Sequence, residues 1–231
     1  ASLFERIKSI YNQRETLDIT AESHQLLERT YKSFCRNGAL LTPEQQEEVR
    51  AIDSALSKAT LTFGNNVLSE TNAFSLNIED QATLEGLPES FLERAAQKAK
   101  EKNLDGYLIG LEFPSYMPLM KFAKNRDLRQ KLWLAYGARG AQNNEHDNKA
   151  IIDQIVTLRQ RRAEILGYTN HAEFVLEERM AKSAKNVNDF LGDLAEKARP
   201  AAERELEELQ NFASEQLEIE QIQPWDQAFF S

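Results

Sequence analysis

Residues 125–182 read NRDLRQKLWLAYGARGAQNNEHDNKAIIDQIVTLRQRRAEILGYTNHAEFVLEERMAK, and this stretch decides the predicted fold. Its apolar residues recur at intervals of three and four, the spacing that places them on one face of a helix. A first helix starts at Arg126, a polar loop over 142–147 follows, and a second helix ends at Gly167. Asn170 is suited to cap a third helix. The stretch therefore predicts consecutive helices joined by short loops.

The same helical spacing continues on the N-terminal side. Thr42, Pro43 and Gln45 form a helix start signal in which Thr42 is the N-cap and Gln45 completes a capping box. The apolar residues that follow predict one long helix that runs to about Thr71. Thr20 can cap an earlier helix. The buried face predicted for that earlier helix consists of Leu26, Leu27, Tyr31 and Phe34.

A last long helix is predicted to open at Ser183. Its apolar face comprises Val187, Phe190, Leu191, Leu194, Leu206, Leu209, Phe212 and Leu217. Pro200 lies inside this pattern, and we expect it to kink or break the helix near Lys197 because proline cannot donate the helical hydrogen bond. Four aromatic residues on helical stripes are interpreted as core, namely Trp133, Tyr136, Phe190 and Phe212.

Two short segments depart from the helical pattern. Phe74, Leu76 and Ile78 alternate with polar residues, which predicts a strand over 73–78. A second strand is predicted over 107–113, after the Asp-Gly turn at 105–106. The two strands can pair with each other or join a larger sheet. The predicted fold class is mainly α, a multi-helix array with this minor β element.

Composition excludes several classes of function. The chain of 231 residues has 28 Lys and Arg against 37 Asp and Glu, a net charge of −9. This balance disfavours binding to nucleic acid or to an anionic membrane. Cys35 is the single cysteine, so no intrachain disulfide can form. No apolar run approaches the roughly 20 residues of a membrane span. We therefore expect a cytoplasmic protein, with any leader before Ala1 lying outside this sequence.

The three histidines do not form a known catalytic motif. His146 is flanked by two carboxylates and could act as a metal ligand or general base, but we interpret it as a capping or surface residue. His24 and Glu28 lie one turn apart and could hold a metal, although a solvent-facing pair is the favoured interpretation. His171 is interpreted as helping to cap a helix. No G-x-S-x-G or G-x-x-x-x-G-K motif is present.

Basic residues admit two interpretations. The cluster consists of Lys149, Arg159, Arg161 and Arg162. Arginine could hold a substrate carboxylate through two hydrogen bonds. We favour instead pairing with the acidic residues of the last helix, which are Glu203, Glu205, Glu207 and Glu208. The same two interpretations apply to Arg126, Asp127, Arg129, Arg139 and Arg179.

Several motifs, in order, carry a family resemblance. They are ETNAFSLNI (70–78) with LEGLPES (84–90), PSYMP (114–118) with NRDLR (125–129), AYGARG (135–140) with NN (143–144), LRQRRAEILGY (158–168) with MA (180–181), ARPA (198–201) and PWD (224–226). Together they resemble the thimet-oligopeptidase family of zinc metallopeptidases. Within that family the chain looks most similar to bacterial peptidyl-dipeptidases, with oligopeptidase A as the near alternative.

The resemblance implies a mainly helical hydrolase, a cytoplasmic metallopeptidase whose two lobes flank a channel that admits short peptides. Its zinc and catalytic glutamate lie on an H-E-x-x-H helix, and that motif is absent here. Residues 1–231 are therefore expected to be one helical region, an internal slice of a larger two-lobed peptidase. No catalytic or metal-binding residue is assigned, and the substrate-binding residues are unknown. Zinc is expected in the parent enzyme and not in this fragment, which alone is predicted to be inactive.

Two questions stay open at this point. The chain could instead be a free-standing helical protein-binding module without catalysis. The parent could release dipeptides or cleave internally, and the sequence does not distinguish these outcomes. We further expect the fragment to self-associate, because Trp225, Phe229 and Phe230 lie near its end without the chain they would pack against.

Overall fold

A computed structural model describes residues 2–230, and within them the chain is mainly helical, as predicted. Nine α-helices lie in this part of the chain: α1 (Leu3–Asn12), α2 (Ala21–Arg36), α3 (Pro43–Ala73), α4 (Glu89–Glu101), α5 (Phe113–Phe122), α6 (Arg126–Gly137), α7 (Lys149–Ile165), α8 (His171–Leu176) and α9 (Ala184–Leu217). Two strands, β1 (Leu76–Ile78) and β2 (Tyr107–Ile109), complete it, with short 3-10 turns at Arg14–Thr16, Gln81–Leu84 and Pro224–Asp226.

The helix starts predicted from the sequence are confirmed. At α3 the Gln45 N–H donates to Thr42 Oγ1 at 3.3 Å, and the Thr42 N–H donates back to Gln45 Oε1 at 3.1 Å. This reciprocal pair satisfies two donors at a helix start. Thr20 Oγ1 accepts from the Ser23 N–H at 3.2 Å, and Asn170 Oδ1 accepts from the Glu173 N–H at 2.9 Å.

The two strands pair with each other, but they are shorter than predicted. The ladder is antiparallel, with Leu76 opposite Ile109 and Ile78 opposite Tyr107. The predicted strand over 73–78 begins late because α3 runs on to Ala73. The predicted strand over 107–113 ends early because Phe113 opens α5. Proline at position 114 suits the first turn of a helix, where its missing N–H has no intrahelical partner.

The chain forms two compact units. The first contains the residues up to Thr60 together with Asp153–Asn186, and the second contains Leu61–Ile152 together with the residues from Val187 onward. The expectation that residues 1–231 are one helical region of a larger peptidase stays a prediction.

The first unit contains an aromatic cluster between α1 and α2. Phe4 is buried, and its ring lies 5.9 Å from that of Tyr31 and 5.8 Å from that of Phe34. The prediction that Leu26 belongs to the buried face of α2 is wrong, since this side chain is 66% exposed. The partly buried face of α2 consists of Leu27, Tyr31 and Phe34. Leu26 lies about 100° around the helix axis from Leu27 and therefore points away from this face.

The second unit has a well-defined core around the sheet. Its buried members are Ile78, Leu84, Leu87, Phe91, Ala95, Ile109, Leu111, Tyr116, Leu119, Met120, Ala123, Leu128 and Leu132. Trp133 and Tyr136 are partly buried against this core, as predicted for these two aromatic residues. Each fully buried leucine such as Leu119 or Leu132 contributes about 1.5–3 kcal/mol relative to exposure.

Helix α9 departs from the prediction in two ways. It is continuous from Ala184 to Leu217 with Pro200 inside it, so the helix does not break near Lys197, and the alternative of a kink there stays a prediction. Pro200 is exposed, and water can therefore bond the carbonyl that loses its helical partner. The predicted core positions Phe190 and Phe212 are 66% and 52% exposed. The apolar face exists as the sequence predicts, but most of it is uncovered in the second unit.

Across residues 2–230, none of the helices combines the length and the apolar character that crossing a membrane requires.

Candidate functional site

The histidines singled out in the sequence do not converge. His146 lies in the loop before α7, with Nε2 3.8 Å from Glu145 Oε1. His171 is the first residue of α8 and stacks on Phe174 at 6.2 Å. Burial lowers the pKa of His171, and the positive charges of Arg159 and Arg162 lower it further. His24 remains on α2, where Glu28 is its neighbour one turn away.

The described residues do not fit a zinc ion. Between Ser2 and Phe230 no group of three or more His, Cys, Asp or Glu side chains is arranged to hold a metal. A protein zinc site needs three or four such ligands. No metal-assisted step therefore follows from these residues, and the expectation that this chain binds no zinc stays a prediction.

A group of polar residues surrounds Glu70, whose side chain is buried near the end of α3. Asn144 Nδ2 donates to Glu70 Oε1 at 2.7 Å, and the Gly140 N–H donates to Oε2. Gln142 Nε2 adds a longer contact of 3.4 Å to the same oxygen. We call Glu70, Gly140, Gln142 and Asn144 the Glu70 network. It fastens the loop after α6 to α3 through one buried carboxylate.

Sequence reasoning missed Glu70, although a signal for it exists. Phe63, Val67, Glu70 and Phe74 recur at spacings of four, three and four, so they lie on one face of α3. A carboxylate on an otherwise apolar stripe indicates a buried and hydrogen-bonded acid, because an unpaired buried charge is costly.

The same loop is held at a second point by Asn148, which is buried. Its Oδ1 accepts from Asn66 Nδ2 at 2.9 Å, and its Nδ2 donates to the Phe63 carbonyl at 3.2 Å. The Asn148 N–H donates to the Gly140 carbonyl at 2.8 Å. Gly140 has φ +73°, and a Cβ there would lie 2.7 Å from Asn148 Nδ2, so glycine is required both conformationally and sterically.

Asp147, rather than His146, makes the capping contacts at the start of α7. Its two oxygens accept from the Lys149 N–H at 2.9 Å and from the Asn143 N–H at 2.8 Å. These backbone hydrogen bonds hold the pKa of Asp147 below its usual value. The interpretation of His146 as a loop residue agrees with its position, whereas the cap belongs to its neighbour.

Arg139 joins α6 to the end of α3. Its guanidinium donates to Thr71 Oγ1 at 2.8 Å and lies 3.4 Å from the ring centre of Tyr136. Tyr136 in turn stacks on Tyr116 at 4.0 Å. Burial raises the pKa of Tyr116, and the neighbouring Tyr136 adds to the shift. These contacts hold Arg139 against the end of α3 and within α6, and neither partner is one of the acidic residues of the last helix with which pairing was considered.

Arg126 and Arg129 also make structural contacts, and their shared partner is Asp226. The Asp226 side chain is fully buried and accepts from Arg126 Nη2 and Arg129 Nη2, each at 2.7 Å. The Gln223 N–H adds a third donor at 3.0 Å. Burial alone would raise the pKa of Asp226, but the hydrogen bonds from the two arginines and Gln223 outweigh it and hold the pKa below its usual value. The turn Pro224–Asp226 is thus fastened to α6.

The basic cluster on α7 does not pair as predicted. Arg161 Nε lies 2.7 Å from Glu48 Oε1, and Arg162 Nε lies 2.7 Å from Asp53 Oδ1, both on α3. The prediction that the acidic residues of the last helix are the partners is therefore wrong for these two arginines. The spacing of charged residues along the sequence shows which side chains share one face of a helix. It does not show which other helix supplies their partners of opposite charge.

A further network, which the sequence did not single out, surrounds Arg36. Its guanidinium donates to Glu177 and to the Phe174 carbonyl at 2.6 Å, and it stacks on the Phe174 ring at 4.1 Å. Tyr168 Oη donates to the same Glu177 carboxylate at 2.6 Å. Burial opposes the charge on Glu177, but hydrogen bonds from Tyr168 and Arg36 hold its pKa below the usual value. These contacts fasten α8 to α2.

Comparison with known proteins gives these networks a context. Residues 119–231 match the model of peptidase family M3. Oligopeptidase A of Haemophilus influenzae is 35% identical over 99% of this chain and 34% of its own length, and oligopeptidase A of Escherichia coli is 36% identical over 89% of this chain and 31% of its own. Dipeptidyl carboxypeptidase of Escherichia coli is 30% identical over 99% of this chain and 34% of its own length.

The family resemblance found in the sequence motifs is thereby confirmed, and the chain belongs to peptidase family M3. It spans about a third of the length of the curated relatives it matches. Both groups named from the motifs occur among these relatives. The polar networks lie at motif residues: Arg126 and Arg129 in NRDLR, Arg139 and Gly140 in AYGARG, and Asp226 in PWD.

Proposed function

We propose that this chain is the non-catalytic part of a zinc-dependent oligopeptidase that hydrolyses short peptides, contributing channel wall and packing surface. The observation that carries the proposal is the similarity to proteins named oligopeptidase A along 89–99% of the chain. Two facts add support: the sequence has no H-E-x-x-H motif, and the described residues offer no metal-holding group.

The networks of the second unit suit such a supporting role. Buried Glu70 and Asp226 both accept hydrogen bonds from several donors, so the oxygens of both carboxylates are engaged within the second unit. Their effect is to fix the loop after α6 and the Pro224–Asp226 turn in single positions. Rigid elements of this kind can hold the wall of a peptide channel without taking part in bond cleavage.

The first test is hydrolysis by the chain itself. Purified chain is supplied with an equimolar amount of Zn²⁺, and its action on a quenched fluorescent peptide is compared with that of oligopeptidase A from Escherichia coli. We expect no hydrolysis above the metal-only blank and no zinc retained after dialysis. Chelator-sensitive hydrolysis, lost in a His24→Ala or His146→Ala variant, would contradict the proposal and place a metal site in this chain.

A free-standing binding module is the alternative, and the uncovered apolar face of α9 favours it. Phe190, Leu191 and Leu194 are each more than half exposed. Such residues serve a protein-binding module as well as a packing surface within a longer enzyme. The discriminating observation is the coding sequence that follows Ser231. An H-E-x-x-H motif there supports the peptidase proposal, and a stop codon supports the module.

Location and partners follow the same proposal. We assign the chain to the cytoplasm with short peptides as the parent's substrates, without nucleic-acid or membrane partners. Relatives in Arabidopsis thaliana are named a probable cytosolic oligopeptidase A and an organellar, chloroplastic or mitochondrial, one. Fractionation of cells that produce the natural protein tests the location, and recovery in an organelle would contradict it.

A further inference from the structure

A groove of about 340 Å³ lies in the second unit, away from the Asp226 contacts. It is bounded by the end of α3, the C-terminal half of α4 and the strand β2. Leu108, Ile109 and Gly110 form one wall, and Phe74 adds an apolar ring. Ligand-binding pockets usually measure roughly 300–1,000 Å³, so this groove suits only a small molecule.

The walls carry two positive and two negative side chains. The positive ones are Lys98 and Lys102, and the negative ones are Glu101 and Glu112. Lys98 forms an ion pair with Glu112, whose Oε1 also accepts from Ser115 Oγ at 2.6 Å. Burial lowers the pKa of Lys98, and the nearby Arg94 lowers it further. The ion pair is therefore partly withdrawn from water at one end of the groove.

Gly110 keeps the carboxylate of Glu112 in that position. A Cβ on Gly110 would collide with Glu112 Oε2, so any other residue would push the acid away. The backbone at Gly110, the residue that follows β2, therefore lies directly beside the Glu112 carboxylate. Lys102, the residue that follows the last turn of α4, is exposed on the rim.

We propose that this groove binds a small zwitterion, a free amino acid or dipeptide, with its carboxylate at Lys102 and Lys98 and its ammonium group at Glu101 and Glu112. The walls carry no net charge but present both signs, so both charged ends of a zwitterion meet side chains of opposite charge. A ligand with only one charge meets an equal number of repelling groups. Charge-assisted hydrogen bonds of this kind are about twice as strong as neutral ones. The proposal is independent of the peptidase function.

The test is an NMR titration of the ¹⁵N-labelled chain, following the amides of Ile109 and Gly110. The probes are glycine, L-alanyl-L-alanine, its N-acetyl form and its C-terminal amide. We expect saturable shifts with at least one of the two zwitterions, and glycine and the dipeptide distinguish the two ligand sizes. Blocking either charged end should weaken binding roughly tenfold, the loss of one hydrogen bond to a charged group.

Variants make the assignment specific. Lys102→Gln should weaken binding of the zwitterion roughly three- to tenfold, whereas Lys100→Gln, an exposed lysine of the same helix outside the groove, should not. Glu101→Gln should reduce the difference between free and N-acetylated dipeptide. Thermal unfolding of each variant checks that the fold is retained. Absence of saturable shifts, equal binding of blocked and free probes, or equal effects of the two lysine variants would overturn the proposal.

Discussion

Replacing Asp226 by asparagine removes the carboxylate shared by two arginines and tests whether this contact holds the C-terminal turn. Asp226 and Arg129 are 0% and 1% exposed at their side chains, and Arg126 is 36% exposed. Breaking a buried pair by removing one partner typically costs about 3–5 kcal/mol, because the other charge stays buried. Arg126 can reach water, and Arg129 keeps its hydrogen bond to the Ala123 carbonyl. We therefore expect Asp226→Asn to lower the free energy of unfolding by an amount at the lower end of this range, about 3 kcal/mol.

Urea unfolding followed by tryptophan fluorescence measures this cost. Both tryptophans of the chain, Trp133 and Trp225, lie in the second unit, with ring centres 5.9 Å apart, so the signal reports on the unit that contains Asp226. The matched control is Glu85→Gln, which removes an exposed ion pair with Lys124. That change should cost less than about 1 kcal/mol.

The acid dependence gives a second readout of the same variant. The pKa of Asp226 is lowered in the folded chain, so its contribution to stability is present above the unfolded value, about 3.9, and is lost as pH falls through the folded pKa. The stability difference between the natural chain and Asp226→Asn should therefore shrink as pH falls below about 4. A variant as stable as the natural chain at pH 7 would refute the view that Asp226 holds this turn.

Further predictions concern the Glu70 network, the core and the surface. Glu70→Gln places an amide N–H group against the N–H donors of Gly140 and Asn144, so the free energy of unfolding should fall by about 1–3 kcal/mol. Hydrogen exchange at the Gly140 amide should become faster, and unchanged exchange there would contradict the prediction. In urea unfolding, Leu132→Ala should lower the free energy of unfolding by about 2–5 kcal/mol because this side chain is fully buried. Leu26→Ala should lower it by about 0.5 kcal/mol or less because Leu26 is exposed. Equal losses would show that the burial pattern is wrong. The aromatic side chains at 225–230 are partly buried within the second unit, so they no longer supply the reason given for self-association. Self-association stays a prediction through the exposed face of α9: sedimentation should show it, Phe190→Glu should weaken it, and a strictly monomeric natural chain at high concentration would count against it.

Local signals in the sequence were sufficient for the helix starts and for the existence of two strands. The capping box of Thr42 and Gln45 and the cap at Asn170 depend on residues three positions apart, so the sequence contains all the information they need. The end of the second strand was not predictable from alternation alone. Pro114 is equally consistent with a strand boundary and with a helix start, and the structure uses it as the latter.

Contacts between distant parts of the chain were the main source of error. The stripe on α9 correctly identifies an apolar face, but periodicity does not reveal whether another element covers it, and Phe190 is exposed. Arg161 lies 113 positions from its partner Glu48, and Glu70 lies 70 positions from Gly140. Only the charged position of Glu70 on an apolar stripe offered a local signal. Both interpretations of Arg126 and Arg129 were left open by the sequence, and neither identified Asp226 as their shared partner.

The most direct test of the central claim is peptide hydrolysis by a chimeric enzyme. The match with the present protein covers 31% of the length of oligopeptidase A from Escherichia coli. In the chimera, that part of the Escherichia coli enzyme is replaced by the matching residues of the present protein. Circular dichroism and zinc content establish that the chimera is folded and loaded. If this chain supplies a non-catalytic wall and packing surface, the chimera hydrolyses a quenched fluorescent peptide and a chelator stops it. A folded, zinc-loaded chimera without chelator-sensitive hydrolysis would contradict the account.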